Sequence, residues 1–536
     1  MRLWTLVLWT ACQAPDDGGG DLATSPGDPA DPTDPADTPD PSDPADTPDP
    51  TDTEPPPLPD PDLPPTVQLD VPAFDPVAGG SLTVHLTGEP GHDATITVLQ
   101  DGAERFTTQA TLVDGVATTT WDGRDASGVL LSAGPATLRV TTPAGEAEAT
   151  IALVRAGFIA ARAEDDGGVT ATAIPMYWGG DRVLQDLSQP IVSLPSLDDD
   201  AGAAVPFPAV TTRLAQWSAI DGVQPVAWTA GSQPMLSLDL ATATALGGTG
   251  LDQLPVHVRA AGYTVLAGDP LTEGAPVTLQ RAAPLDATLG VTDERVVLEV
   301  FVDGADGAPI VLSAQELPVQ HFRLLGPPTF GRNQDRYNPW AWAMFDLLTS
   351  IEGTPATHAD AAGAVVSWVF NDLGLVYDTQ TGASAYSYYG NGWAVAWDQP
   401  HFLFTDFLLR RMGDVINCTD AGNLVTTYAN QLGAELHHIV ILENFDLDFI
   451  RAIGTPDFTR CPFGPGGCGF SYHAVTTPDG GNTIWDATLV LDGDNDPGAR
   501  PFTELPAQAI PGPEYLWRLV RAGNADYRFE SQGTIE

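Results

Sequence analysis

The spacing of apolar residues changes character once along this chain, and that change divides what it can fold into. From Thr66 to about residue 328 apolar and polar residues alternate; after Gly331 apolar residues recur at helical intervals. Val67-Gln68-Leu69-Asp70-Val71, Ser81 to Leu86 and Ala94 to Leu99 read as half-buried strands separated by Gly, Pro and Asp turns, which predicts a β-sandwich over 66–155. Residues 156–328 continue in this style, with a hairpin formed by Val296–Val302 and Ile310–Ser313. One large β domain or two small sandwiches fit that stretch equally well. Residues 340–348, 361–370 and 402–412 are then expected as helices. A fourth helix starts at Cys418, with Ala421, Leu424, Val425, Tyr428 and Leu432 on one buried face and Gly433 as its stop. Strands follow at 436–442 and around His473 and Asp486. The expected architecture is therefore multidomain: all-β sandwich modules followed by an α+β domain over 329–536.

The first 65 residues cannot join either pattern. Residues 13–65 are dominated by Asp, Pro and Thr, and the octapeptide Asp-Pro-Ala-Asp-Thr-Pro-Asp-Pro occurs at 34–41 and again at 43–50. No apolar face is available to offset ordering entropy, so a disordered, extended linker is expected. Before it, Met1 to Cys12 carries one arginine and an apolar run too short to span a bilayer. It reads as an export signal. Its Thr10-Ala11-Cys12 ending resembles the lipobox of bacterial lipoproteins, which implies lipidation of Cys12 and membrane attachment through that lipid. The formal net charge is −49 and all 22 basic residues are arginine, so no basic stripe exists to neutralise phosphates and nucleic-acid partners are excluded. The expected location is the cell envelope, as an outer-membrane lipoprotein facing the periplasm or the surface, with secretion as the alternative.

Cys418, Cys461 and Cys468 are the cysteines of the folded part. A disulfide between Cys461 and Cys468, across a Pro/Gly-rich loop, would leave Cys418 as the free thiol. The alternative use of Cys461, Cys468 and His473 as zinc ligands, with or without Cys418, matches no common zinc spacing, and no metal or other cofactor is expected. His437 and His438 are adjacent on a strand and face opposite ways, so they do not form one site. Leu491 to Pro497 has alternating carboxylates, but Thr503 stands where a calcium loop needs its final glutamate, and a polar turn is the expectation.

Cys418, His473 and Asp486 carry the chemistry. A thiol at a helix N-terminus beside an imidazole is an activated nucleophile. Asp479-Gly480 is a preferred pair for a two-residue hairpin turn, and counting outward from it sets His473 directly opposite Asp486 on one face. Helix-borne Cys418 with Asp420 two residues on, His473-Ala474 before a hairpin, and Trp485-Asp486 resemble the transglutaminase-like superfamily, a permuted relative of papain-like cysteine proteases. Asn417, Gly422-Asn423 and Val475 depart from that family's usual residues. The resemblance covers roughly 335–495. Separately, Trp121-Asp122-Gly123-Arg124-Asp125 with the strand Ala136–Val140 resembles the Ig-like repeat of flagellar-hook-cap proteins, which implies a structural module over 66–155.

The superfamily resemblance implies acyl transfer on peptide or protein amides. Cys418 would attack the carbonyl, His473 would move the proton and Asp486 would fix its tautomer. The Cys418 N–H would donate to the oxyanion, with Trp393 or Trp397 as candidates for a second donor. Hydrolysis and transfer to an amine both remain open. The alternative is a non-catalytic surface-binding or structural protein whose Cys–His–Asp group is inactive.

Overall fold

Alternation in the sequence becomes alternation of burial. The computed structural model describes residues 63–76, 81–164, 173–178, 183–184, 192–193, 225–240, 249–329, 340–389, 400–494, 502–505, 508–531 and 534–535. In the strand Leu82–Thr87, Leu82, Val84 and Leu86 are buried while His85 and Thr87 face out; Asp93–Gln100 follows the same rule. Thr66–Leu69, Leu82–Thr87 and Val116–Trp121 form a three-stranded sheet. Facing it, Ala73–Phe74, Gly145–Leu153, Gly134–Thr142, Asp93–Gln100 and Ala103–Thr111 form a five-stranded one. Their inner faces share an apolar core. Trp121 anchors it: its ring meets Phe74 edge-on at 5.8 Å and its Nε1 donates to the Arg124 carbonyl at 2.9 Å. The Asp125 carboxylate then closes the following turn on the Ser127 and Val129 amides.

Among its described residues, the second β region has two five-stranded sheets whose buried side chains share one core. The long hairpin Gly290–Asp303 and Pro309–Leu324 forms much of one sheet, and Val226–Thr229 lies parallel to His321–Leu324. Phe158–Glu164, Met235–Leu240, Val277–Arg281 and Tyr263–Ala267 lie in the other. Trp228, Val296, Leu298 and Val319 fill the space between them.

Beyond Trp340 the period becomes helical: α1 (Ala341–Ser350), α2 (His358–Asn371), α3 (Phe404–Leu408), α4 (Cys418–Gln431) and α5 (Gly512–Leu519). The expected helix over 402–412 shrinks to α3, because Phe402 is taken by the strand Pro400–Phe402 and Arg410 adopts positive φ at 51°. His437–Leu447 is the middle of an antiparallel sheet, with Gly469–Thr477 on one side and Val520–Gly523 and Asp526–Ser531 on the other. Among the described residues, no helix is long and apolar enough to cross a membrane.

Helix α4 corrects the expectation of a single buried face, because all fourteen of its residues are buried. It packs between α2 and the strand Gly469–Thr477, and several of its polar side chains find partners instead of water. Asn430 donates to the Leu436 carbonyl and accepts from the Leu436 amide, Gln431 accepts from the Trp340 amide, and Asn423 donates to Ser387 Oγ. Gly422 lets the His438 ring lie close on the helix, since a Cβ there would sit 3.3 Å from the ring. At the far end Gly433 takes φ 94° and lets the chain pass against Gly326.

Residues 59–536 belong to one compact unit. Phe322, Leu324 and Ala227 of the second sandwich lie in the same apolar core as α1, α2 and α4. Buried Arg323 spans the join, paired with Asp286 at 2.6 Å and with Glu352.

Candidate active site

Two elements bring the site together. Helix α4 begins at Cys418, and its start is set by a reciprocal cap: Asn417 accepts from the Asp420 amide at 3.1 Å and Asp420 accepts from the Asn417 amide at 3.2 Å. The Asp420 carboxylate also receives Ser384 Oγ, the Ala385 amide and the Tyr386 amide, so one side chain fixes both the helix start and the loop over it. Burial raises its pKa above the ordinary carboxylate value against those hydrogen bonds. Cys418 is 3% exposed and is the one free cysteine among the described residues.

The strand Gly469–Thr477 supplies His473, fully buried and stacked on Phe470 at 5.3 Å and 14°. Its Nε2 donates to Asp486 Oδ2 at 3.1 Å. Its Nδ1 is buried with no hydrogen-bond partner, and Cys418 is one of the groups acting on the ring. Burial alone would lower the imidazole pKa. The Asp486 charge and hydrogen bond, with a smaller effect of Cys418, outweigh it and push the value up to about 9. Asp486 is itself held by Tyr515 Oη at 2.5 Å and by the Thr488 amide at 2.6 Å.

The expected register is corrected by two residues. Thr476 pairs with Trp485, not with Thr483 as a two-residue turn at Asp479-Gly480 requires. Positive φ falls on Gly480 and Gly481, and the loop is organised by Thr477 Oγ1 and the Asp479 carboxylate, which accept from the Gly481 and Thr483 amides. Asp486 consequently lies just past the strand Thr483–Ile484, not on it. An even shift preserves the face, so it still reaches His473.

Around the thiol stand groups that sequence reading passed over. Tyr472 Oη lies 3.1 Å from Thr419 Oγ1, and Tyr389 Oη lies 3.4 Å from that hydroxyl and 3.5 Å from His438 Nε2. Burial, then the nearby Cys418, pushes the Tyr472 phenol up to about 12. Burial and the neighbouring His473 lower His438 to about 3, so it is a neutral imidazole. Tyr515 on α5 carried no signal at the sequence level, since a Gly-Pro start and eight residues make a weak helix pattern. Cys461 and Cys468 are joined as a disulfide, which removes both thiolates from the zinc set considered above. His437 pairs instead with Glu530 at 2.5 Å. A cleft of about 390 Å³ opens beside Phe470 and Ser471, bounded by Asn444–Asp446 and by Ala522 and Gly523. Cys12, the acidic linker up to residue 62, Trp393, Trp397 and the end of the Leu491–Pro497 turn lie outside the described residues.

No protein-family model matches the chain, and no curated protein matches it. Solved structures with local similarity include a C-terminal 282-residue fragment of intimin in complex with the intimin-binding domain of its translocated receptor. It is 10% identical, with 47% of this chain and 62% of that one covered, at a TM-score of 0.21. Invasin, a bacterial integrin-binding protein, is 13% identical over 49% of this chain and 40% of its own, at 0.15. Fibronectin(III)-like modules of Clostridium thermocellum CbhA are 10% identical over 48% and 93%, at 0.19. This chain thus spans less than two thirds of the intimin fragment and of invasin. Similarity at these scores carries no statement about the activity or partners of this chain.

Proposed function

We propose that the C-terminal domain is a cysteine acyl-transfer enzyme of transglutaminase-like type acting on peptide or protein amides, carried on β-sandwich modules of which the first is Ig-like. The observation that carries this reading is the buried His473, clamped by Asp486 through Nε2, with Nδ1 unpartnered and Cys418 among the groups that raise its pKa. In the reaction the Cys418 thiol gives its proton to His473 Nδ1, and the Sγ–carbon bond forms as the amide carbonyl becomes an oxyanion. The carbon–nitrogen bond then breaks, and the proton on His473 Nδ1 passes to the departing amine. The thioester that remains is opened by water, giving a carboxylic acid, or by an amine, giving a new amide; His473 takes the proton from either. As the first residue of α4, Cys418 presents a backbone N–H with no acceptor inside the helix, suited to the oxyanion. Asp486, fixed by Tyr515 and Thr488, keeps the imidazole oriented and favours its charged form.

The location follows as part of the same proposal: an exported protein, lipid-anchored at Cys12, with the Asp/Pro-rich segment as a spacer from the membrane. A second reading, an inert binding protein, is favoured by the depth of the three residues, none more than 3% exposed. The test is to incubate the full chain with a tryptic peptide digest, with and without cadaverine, and to search by mass spectrometry for new termini or cadaverine adducts. The enzyme reading expects products that vanish in Cys418→Ala. Products that persist in Cys418→Ala, or none from the wild type, would leave the binding reading in its place.

A further inference from the structure

The Cys461–Cys468 disulfide closes a seven-residue step in the chain, and the residue it holds inward is Phe463. One edge of the Phe463 ring meets Phe470 at 5.8 Å and Tyr377 at 6.1 Å. Phe470 is the ring on which His473 stacks. Another edge lies so near Gly382 that a Cβ there would sit 3.2 Å from it. The Gly382 carbonyl accepts from Asn417 Nδ2 at 3.0 Å, and Asn417 is the cap that starts the Cys418 helix. Phe463 therefore touches the ring that supports His473 directly and reaches the cap of Cys418 through one residue, Gly382. The loop around it is closed by short hydrogen bonds, from the Gly464 amide to the Cys461 carbonyl at 3.1 Å and from the Gly467 amide to the Gly464 carbonyl at 2.9 Å. A side chain at Gly467 would collide with the Phe463 Cβ at 2.4 Å, so the chain passes close against itself there. Cys468 hands the chain back to the sheet, its carbonyl accepting from the Leu447 amide at 2.9 Å.

We infer that Phe463, held by the Cys461–Cys468 disulfide, is a positioning residue for the Cys418–His473 pair, and that reduction of this disulfide weakens the pair without dismantling the domain. The inference rests on the acyl-transfer reading, because it concerns the alignment of that same dyad. Opening the disulfide is a two-electron reduction by an external dithiol, which leaves as its own disulfide while Cys461 and Cys468 each gain a proton. Phe463 is only half-buried, and it packs against the edge of the main core without being one of its buried members. Its loss should accordingly be felt in alignment more than in stability.

The experiment uses the full chain and iodoacetamide labelling of Cys418, read by peptide mass from pH 5 to 10. The variants are Phe463→Ala, Phe463→Leu, the double variant Cys461→Ser with Cys468→Ser, and His473→Ala. The expected result is a labelling profile displaced by about one pH unit toward alkali in Phe463→Ala and in the double serine variant. Phe463→Leu should recover most of the wild-type profile, and thermal midpoints should change little. If His473→Ala alters the wild-type profile while Phe463→Ala and the double serine variant do not, the positioning role is overturned and the dyad stands. If His473→Ala itself changes nothing, the dyad reading fails first, and the role of Phe463 falls with it. A Phe463→Ala chain whose thermal midpoint collapses would show Phe463 to be a core residue, which also overturns the inference.

Discussion

The first sandwich and helix α4 bury their residues by opposite rules. In the sandwich each strand commits alternate side chains, leaves the others in water, and rests on apolar anchors such as Trp121 against Phe74. In α4 every side chain is inside, and Asp420, Asn423, Asn430 and Gln431 are accommodated because each meets a specific backbone or hydroxyl partner. An apolar core tolerates loss in proportion to area, whereas a buried polar network fails when any one member leaves its partners unmatched. Buried polarity is concentrated around Cys418, His473 and Asp486 as well, with Asn417, Asp420, His438 and Thr488 also buried there.

The largest separation between the two regions is expected from Asp420→Ala. It strands the Asn417, Ala385 and Tyr386 amides and the Ser384 hydroxyl inside the protein. At roughly 1–3 kcal/mol for each unmet group, the loss should exceed about 4 kcal/mol and unfold the C-terminal domain, seen as a separate early transition in calorimetry. Trp121→Ala should cost about 3–5 kcal/mol through the cavity it leaves, but in the first sandwich alone. Labelling of Cys418 should then be unchanged at 25 °C; a change would mean that the two regions are coupled more tightly than their separate cores imply.

Asp486→Asn sharpens the electrostatic side. With the carboxylate gone, burial dominates, and His473 should fall from about 9 to below the ordinary imidazole value of about 6.5. The sign for the native chain follows from a folded value above the unfolded one. The stability contributed by His473 is fully present below about pH 6.5 and is lost as pH rises through about 9. Activity that needs the protonated imidazole should have its alkaline limit in that window. Denaturant midpoints measured from pH 6 to 10 should lose this slope in Asp486→Asn, and persistence of the slope would assign it to another group. The smallest effect is expected from Thr357→Ala, which removes the cap accepting from the Asp360 amide at the exposed start of α2. About 1 kcal/mol, read as a shift in the same midpoints with no change in labelling, is the expectation.

Legibility in the sequence follows the same divide. Strands whose neighbours are near in sequence were readable, as were Trp121, the hairpin Gly290–Asp303 with Pro309–Leu324, and the start of α4, because period and turn residues are local quantities. The parallel pairing of Val226–Thr229 with His321–Leu324 was not, since nothing near either segment encodes a partner so distant. Nor was the burial of the polar side of α4, where Asn430 and Gln431 look solvated until Leu436 and Trp340 arrive from other elements. At the candidate site, the pairing of His473 with Asp486 could be read from order and face, and the two hydrogen-bond at 3.1 Å. The two-residue shift in register could not, because Asp479 bonds the Thr483 amide instead of forming the favoured short turn. Tyr515, which holds Asp486 from a helix 29 residues further on, left no trace in local pattern.

The most direct test of the acyl-transfer account is the pH dependence of iodoacetamide alkylation at Cys418, in the wild type and in His473→Ala. Peptide mass would assign the label and verify that Cys461 and Cys468 remain joined. The account predicts rapid labelling of the wild type well below pH 8 that collapses in His473→Ala. Slow labelling, equal in both proteins, would contradict it and leave Cys418 as a buried thiol in a binding domain.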